Sequence, residues 1–359
     1  MKFWNLFKIC PGAMLVSIII SCSVPVTETN DVYAAGYSTN ASDVYIPGYW
    51  LNGVWNELPA LDETKNNFVR SLVVSGTDIY VAGFCVNSSN VFVPGYWLNG
   101  VWNGLPPLDV TRHSYVFSLV VSDTDVYAAG YSTNASDIQV PGYWLNGVWN
   151  GLPPLDAAKH SYVSSLVVSG TDVYVAGYST NASDIQVPGY WFNGVWNGLS
   201  PLDPAKNAAI TGLVVSGTDV YGSGYGYNSS DVLVPGYWLN GAWNGLSLLD
   251  ATKNSYAKTV RVLEEDIYVS GYSMNTSGVV VAGFWKNGLW QGLAPLDATK
   301  SSVVNDLVVS GSIVYAAGYS MNSSDVQVPG YWRNGAWHGL SRIDPAKSSQ
   351  INSLVIISK

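Results

Sequence analysis

Charged residues are scarce. Only 11% of the 359 residues are Asp, Glu, Lys or Arg, against 48% hydrophobic and 13% aromatic; a globular domain usually carries about 25% charged residues. Disorder needs the opposite balance and is excluded. The charge present runs acidic, formally −9 at pH 7. Nucleic acid, which calls for a basic face, is therefore not an expected partner. Cysteine is nearly missing: Cys10, Cys22 and Cys85 are all there is, too few for a disulfide framework. Apolar runs long enough to approach a membrane occur only at the N-terminus. What is abundant is 36 Gly, 17 Pro, 15 Trp and 24 Tyr, a mixture that suits strands punctuated by turns.

Residues 1–22 read as a secretory signal. Lys2 and Lys8 supply a short positive region, and Ile9 to Ser21 is uncharged, mostly apolar and too short to span a bilayer. Its end, Ile19-Ile20-Ser21-Cys22, resembles the bacterial lipobox. The resemblance implies cleavage before Cys22 and attachment of lipid to that residue. The expected location is the bacterial cell envelope or surface, with the membrane reached through the lipid alone; plain secretion is the alternative. Residues 23–30 form a tether of roughly 25 Å at ~3.3 Å per residue. Cys85 stands where six sister positions carry Ser or Gly and reads as an inert replacement in a loop.

Repetition dominates the rest. Trp50, Trp97, Trp144, Trp191, Trp238, Trp285 and Trp332 recur every 47 residues, and a second series, Trp55 to Trp337, follows five behind. Residues 31–359 divide into seven units of 47 with no insertion. In the unit 160–206, Ser161–Ser169 reads as strand a, Asp172–Tyr178 as strand b, Val187–Phe192 as strand c and Val195–Leu199 as strand d. Asn193-Gly194 between c and d is a two-residue type I′ hairpin signal. Four short strands per unit match a propeller blade.

The chain ends separate a closed ring from an open stack. Ile351–Ser358 matches strand a with nothing after it, and Asp31–Tyr37 matches strand b with no strand a before it. The sequence thus predicts an all-β, seven-bladed β-propeller over residues 31–359, four antiparallel strands per blade. The C-terminal strand closes it by pairing with the N-terminal strands of the same blade, which removes exposed edges. A monomer is expected.

The turn sets Trp50 opposite Trp55, and such pairs are expected to pack between blades. The Gly of each Ala-Gly in strand b predicts a bulge or close approach. Seven Asp, Asp62 to Asp344, each precede a basic residue by three, including Lys65, Arg112 and Lys159. They read as turn caps with solvated partners, or alternatively as a cationic ring gathering anions. The Asn-X-Ser of each b–c loop, Asn40 to Asn322, reads as a loop former rather than a glycan acceptor. The b–c loops and d–a connections share one face, where binding is expected. Three positions at the start of strand a vary most. They supply the candidate ligand residues His113 and His160; Phe68, Tyr115, Tyr162 and Tyr256; and Arg70 and Lys258.

Recognisable chemistry is sparse. The acidic residues fall almost entirely into repeated columns, with Asp123, Asp306 and five Glu left over, and no acid/base pair is evident. His113 and His160 share a column but lack an obvious third metal ligand. There is no nucleophile elbow, P-loop or dinucleotide fingerprint. Neither a metal nor a cofactor is expected.

The order Trp149, Leu152-Pro153, Ser165–Gly170 and Val173–Gly177 resembles the kelch repeat across all seven units, with Ala-Gly where kelch units pair two glycines. The resemblance implies a propeller used for binding. The expected function is a non-enzymatic binding or scaffold protein acting on a protein or glycan partner through its loop-rich face. A lectin-like propeller with repeated inter-blade pockets, and a hydrolase with its site at the channel mouth, are the alternatives.

Overall fold

The computed structural model describes residues 30–359; the signal-like segment, Cys22 and the tether as far as residue 29 lie outside the described residues. Among the described residues every regular element is a strand, and the strands form seven four-stranded antiparallel sheets. The fourth sheet is representative: Ser161–Ser169, Asp172–Thr180, Gln186–Phe192 and Val195–Gly198 are its strands a to d. Strand b runs two residues further than its sequence suggested. Ser179 is held there by a 2.9 Å hydrogen bond between its hydroxyl and that of Ser161.

Ring closure occurs within blade 1. Its inner strand, Ser349–Ile357, comes from the C-terminus and pairs antiparallel with Asp31–Thr39, placing Val32 opposite Ile356 and Ser38 opposite Ser349. Lys359 reaches back to Asp31 at 2.8 Å.

The Asn-Gly hairpin sets the register that everything outward obeys. Asn52 and Gly53 have φ of 51° and 85°, the left-handed pair that a type I′ turn requires. Leu51 and Val54 therefore face each other, and Trp50 faces Trp55 with ring centroids 4.5 Å apart. Asn52 does more than turn the chain. Its side chain accepts from Val32 N–H and donates to Asp31, fastening the c–d hairpin to the start of strand b.

Trp50 and its six equivalents are buried to 1% exposure or less. Each also donates its indole N–H to a backbone carbonyl of the preceding blade's d–a connection: Trp97 to Pro59, Trp144 to Pro106, and across the closure Trp50 to Ser341, all at 2.8 Å. The second indole packs against the glycine two residues before the first Trp. A Cβ added at Gly48 would sit 2.4 Å from the Trp55 ring.

The strand b glycine marks both a bulge and a close approach, the two outcomes its place inside a strand predicted. Gly177 pairs with Val163 and Ala176 with Ser165, which leaves Ser164 unpaired. A Cβ on Gly177 would fall 1.9 Å from the Tyr162 carbonyl oxygen. An equivalent bulge interrupts strand a in every blade, widened in blade 6 to Lys258 and Thr259 opposite Ser270. It turns one extra residue per blade toward the ring axis.

Cys85 corrects one expectation. It lies inside strand b of blade 2, Asp78–Val86, fully buried, and not in a loop. Most blades place two bonded serine hydroxyls here, as in Ser114 with Ser132. Blade 2 has Cys85 with Asn67, whose amide accepts from Val86 N–H and donates to the Lys65 carbonyl. Blade 5 has Ala208 with Gly226 and no hydroxyl at all. Both partners change together, because one hydroxyl left alone in a buried site costs about 1–3 kcal/mol.

Replacing Trp50 by Ala should lower stability by about 3–5 kcal/mol through the cavity it opens. An unchanged melting temperature would refute its packing role. Burial pushes the Cys85 thiol up to about 12, so at neutral or mildly alkaline pH it stays protonated and enclosed. An aromatic disulfide reagent should label it only as fast as the protein unfolds; prompt labelling of native protein would contradict this placement.

Candidate functional site

The loop-rich face is built from self-satisfied turns. Each b–c loop folds around its Asn: the Asn181 side chain accepts from Ser183 and Ile185 N–H. In each d–a connection the Asp caps the turn, as Asp62 does by accepting from the Thr64 N–H and hydroxyl; these bonds lower its pKa. The basic residue three positions on does not pair with that Asp. It reaches the Asp of its own blade's b–c loop instead: Arg112 to Asp137 at 2.7 Å, Lys159 to Asp184 at 2.5 Å, and likewise Lys206, Lys300 and Lys347. Lys65 and Lys253 have no such partner among the described residues, since Asn90 and Gly278 replace the loop Asp. These are exposed pairs worth about 0–1 kcal/mol each, and with the turn-capping aspartates left over that face is net acidic.

His113 and His160 occupy a repeated structural position. Their Nδ1 atoms accept from Phe92 and Gln139 N–H at 3.1 Å. Asn66, Asn207, Asn254 and Ser348 accept the equivalent bond from the first strand c residue of the preceding blade. Among the described residues no group of three His, Cys, Asp or Glu is placed to hold a metal ion.

The seven bulge residues converge on the ring axis, where they line a central channel enclosing about 350 Å³. Four of them lock the ring. Ser164 and Thr211 donate hydroxyl bonds, and Asn305 and Asn352 amide bonds, to the carbonyl one position back in the next blade: Ile210, Ala257, Ile351 and Val69. The other three positions hold Arg70, Phe117 and Lys258, and no inter-blade bond of this kind is made by them among the described residues. A repeat that needs a small hydrogen-bonding residue here has surrendered it three times, to two cations and an aromatic.

The neighbouring channel position shows the same division. Ser71, Ser118, Ser165 and Ser353 accept a backbone N–H from the next blade. Blade 7 has Asp306 instead. It is 5% exposed, accepts from Leu354 and Leu307 N–H, and pairs with Arg261 at 2.9 Å. It is the sole carboxylate among the residues lining the channel. Arg261 went unnoticed in the sequence; its signal was an Arg in a column of Val73, Val120, Val167, Val214, Val308 and Val355.

Arg70 has no carboxylate partner among the described residues. Its guanidinium carbon lies 6.0, 5.7 and 5.8 Å from the ring centroids of Phe68, Phe84 and Phe117, and its Nε is buried without a hydrogen-bond acceptor. Lys258 Nζ lies 4.7 Å from the Tyr256 ring centroid. Burial first, and then the charge on Arg70, push its ammonium down to about 8.

Above these residues an aromatic layer rings the mouth. Phe68 meets Phe84 at 4.9 Å, Phe84 meets Tyr115 at 4.7 Å, and Phe117 meets Tyr162 at 4.7 Å. On the far side Tyr225 meets Tyr256 at 5.0 Å. The strand a column of this layer is non-aromatic at Ala209, Val303 and Gln350, and beside Ala209 in blade 5 it leaves a cup of about 330 Å³. Its walls are Tyr162, Tyr178, Tyr225 and Tyr256, its base Ser164 and Thr211, and its ends Phe117 and Lys258. Burial raises the tyrosine hydroxyls, Tyr225 to about 12, so they face the cup as neutral hydrogen-bonding groups.

Of the residues singled out from the sequence, Phe68, Arg70, Tyr115, Tyr162, Tyr256 and Lys258 are thus brought together at the channel mouth. Lys65, Arg112, Lys159, His113 and His160 lie among the connections and loops, outside the lining of channel and cup. Replacing Asp306 by Ala should cost about 1–3 kcal/mol, since it orphans buried N–H groups. Asp306→Ser, the residue of four sister blades, restores an acceptor for Leu354 and should cost clearly less. Equal losses by thermal melting would show that the inter-blade bond is not what Asp306 supplies.

No family model and no curated protein sequence matches the chain. Among solved structures it is similar to YjhT, at 10% identity over 72% of this chain and 97% of that one, TM-score 0.42. It is also similar to AofleA from Arthrobotrys oligospora, at 16% identity over 81% and 89%, TM-score 0.45. A third likeness is to a protein provisionally described as a 6-phosphogluconolactonase from Bacteroides fragilis, at 11% identity over 93% and 99%, TM-score 0.41. At this distance no residue role and no activity passes from them to this chain.

Proposed function

We propose that this propeller is an exported, lipid-anchored, non-enzymatic binding protein that receives a small ligand at the loop-face mouth of its central channel. One observation carries the reading. Of seven equivalent bulge residues, four bond the next blade while Arg70, Phe117 and Lys258 do not. Side chains released from holding the ring, and directed into a cavity, are the ones a ligand can use. The lone lining carboxylate is already engaged by Arg261 and two backbone N–H groups, which supports binding over acid/base chemistry. Export and anchoring rest on the apolar run that ends in Ile19-Ile20-Ser21-Cys22.

A second reading, a lectin-like propeller with inter-blade pockets, draws on one cavity of about 330 Å³ between blades 6 and 7, lined among others by Phe284, Gln291, Trp332 and Asn334. Phe284 and Gln291 depart from the Tyr and Asn common in the other units.

Crystals of the chain from Ser23, soaked with a library of small polar and aromatic fragments, separate the two. Occupancy should concentrate at the channel mouth against Arg70, Phe117 and Lys258; occupancy confined to the crevice between blades 6 and 7 would favour the second reading. Fatty-acid labelling of the full chain in a bacterial host should vanish in Cys22→Ala, and labelling that persists would remove the anchor.

A further inference from the structure

We propose that the ligand of this channel is a small organic anion, its acid group held by Arg70 and Lys258 and its flat or apolar body lying against Phe117 and the tyrosine cup. This deepens the channel-mouth reading and rests on it. The argument begins with charge. The protein is acidic overall, and in five of the seven repeated d–a turns the basic residue three after the Asp is neutralised by a loop aspartate. The channel reverses that sign. It holds Arg70, Lys258 and Arg261 against the single carboxylate of Asp306, and Arg261 is the one that carboxylate engages. Two cations are left over in a confined space, where low-dielectric walls concentrate their field.

Those two cations are costly as they stand. Arg70 keeps a buried N–H without an acceptor, and the charge on Arg70 disfavours the ammonium of Lys258. An oxyanion lying between them would supply the missing acceptor and relieve the repulsion at once, and Arg in particular presents a fork matched to carboxylate or phosphate. The rest of the ligand is specified by the walls. Phe117 reaches the cup from one side, Tyr162, Tyr178, Tyr225 and Tyr256 surround it, and Ala209 keeps the space between them open. A flat ring or compact apolar body fills such a cup, and neutral hydroxyls meet whatever polar groups it carries.

The pH dependence follows in sign. The titratable groups around Lys258 are Tyr256 on its own strand; Tyr162, Tyr178 and Tyr225 from the two preceding blades; Arg70; and the Arg261–Asp306 pair. The tyrosines are raised by burial, so Lys258 is the group that changes charge near pH 8. An anion beside it stabilises the ammonium and raises its pKa in the complex. Affinity should therefore be highest below about 8 and fall as the pH rises through that value, with proton uptake on binding.

Isothermal titration of the chain from Ser23 provides the test, with benzoate and phenyl phosphate as anionic probes and benzamide and benzyl alcohol as neutral counterparts. The anions should bind about tenfold or more tightly than the neutral rings. Arg70→Gln and Lys258→Met, each checked by melting, should abolish that preference, and Lys258→Met should also remove the proton uptake. Neutral rings binding as well as the anions would overturn the anion assignment while leaving the channel site in place. Binding of neither set at millimolar concentration would remove both the assignment and the channel-mouth reading. Anion binding unaltered in both variants would place the site elsewhere and overturn the proposal.

Discussion

A buried indole joins each blade to the one before it, and the ring depends on that contact. The inner Trp of every unit fills the wedge between adjacent sheets and spends its one hydrogen-bond donor on a carbonyl of the preceding d–a connection. Apolar burial alone would let the sheets slide. A donor that must be satisfied inside a dry interface sets their offset, because leaving it unmade costs more than making it gains. The same bond crosses the closure, so the junction between the chain termini is packed like the other six. Upstream of this lies the Asn-Gly turn, whose left-handed backbone decides which residue of each hairpin faces inward.

Around the axis a second system of bonds does for the inner strands what the indoles do farther out. The bulge frees one residue per blade from the ladder and turns it inward, and the neighbouring serine accepts from the next sheet. Repetition makes the departures informative. Where Ser, Thr or Asn gives way to Arg70, Phe117 or Lys258, the ring gives up an inter-blade bond at that place. Where Ser gives way to Asp306, the bond is kept and an arginine is bound in addition. Identical sectors have no reason to differ in this way for the sake of closure, since all seven junctions meet the same geometric demand.

The serine pairs between strands a and b show the same logic without any functional overtone. Two hydroxyls satisfy one another in several blades, a thiol stands with an amide in blade 2, and neither is present in blade 5. The units thus serve as controls for each other. At this position a buried hydroxyl keeps a partner, or both members of the pair are replaced together.

The sequence by itself determined the number of blades, the strand order, the hairpin register and the closing pair. These follow from local turn chemistry and from a 47-residue period that never slips. It also singled out the positions that vary between copies, among them Arg70, Lys258 and the aromatic column. It did not show that one of those columns is the bulge residue facing the axis. Nor did it show that the loop cations answer to aspartates of the b–c loops, that the two histidines are backbone acceptors, or that Arg261 and Asp306 meet. Those pairings bring together residues far apart in the chain, and many of them lie in different blades. A period along the chain specifies each sector, whereas the curvature of the ring decides which sectors' side chains share the channel.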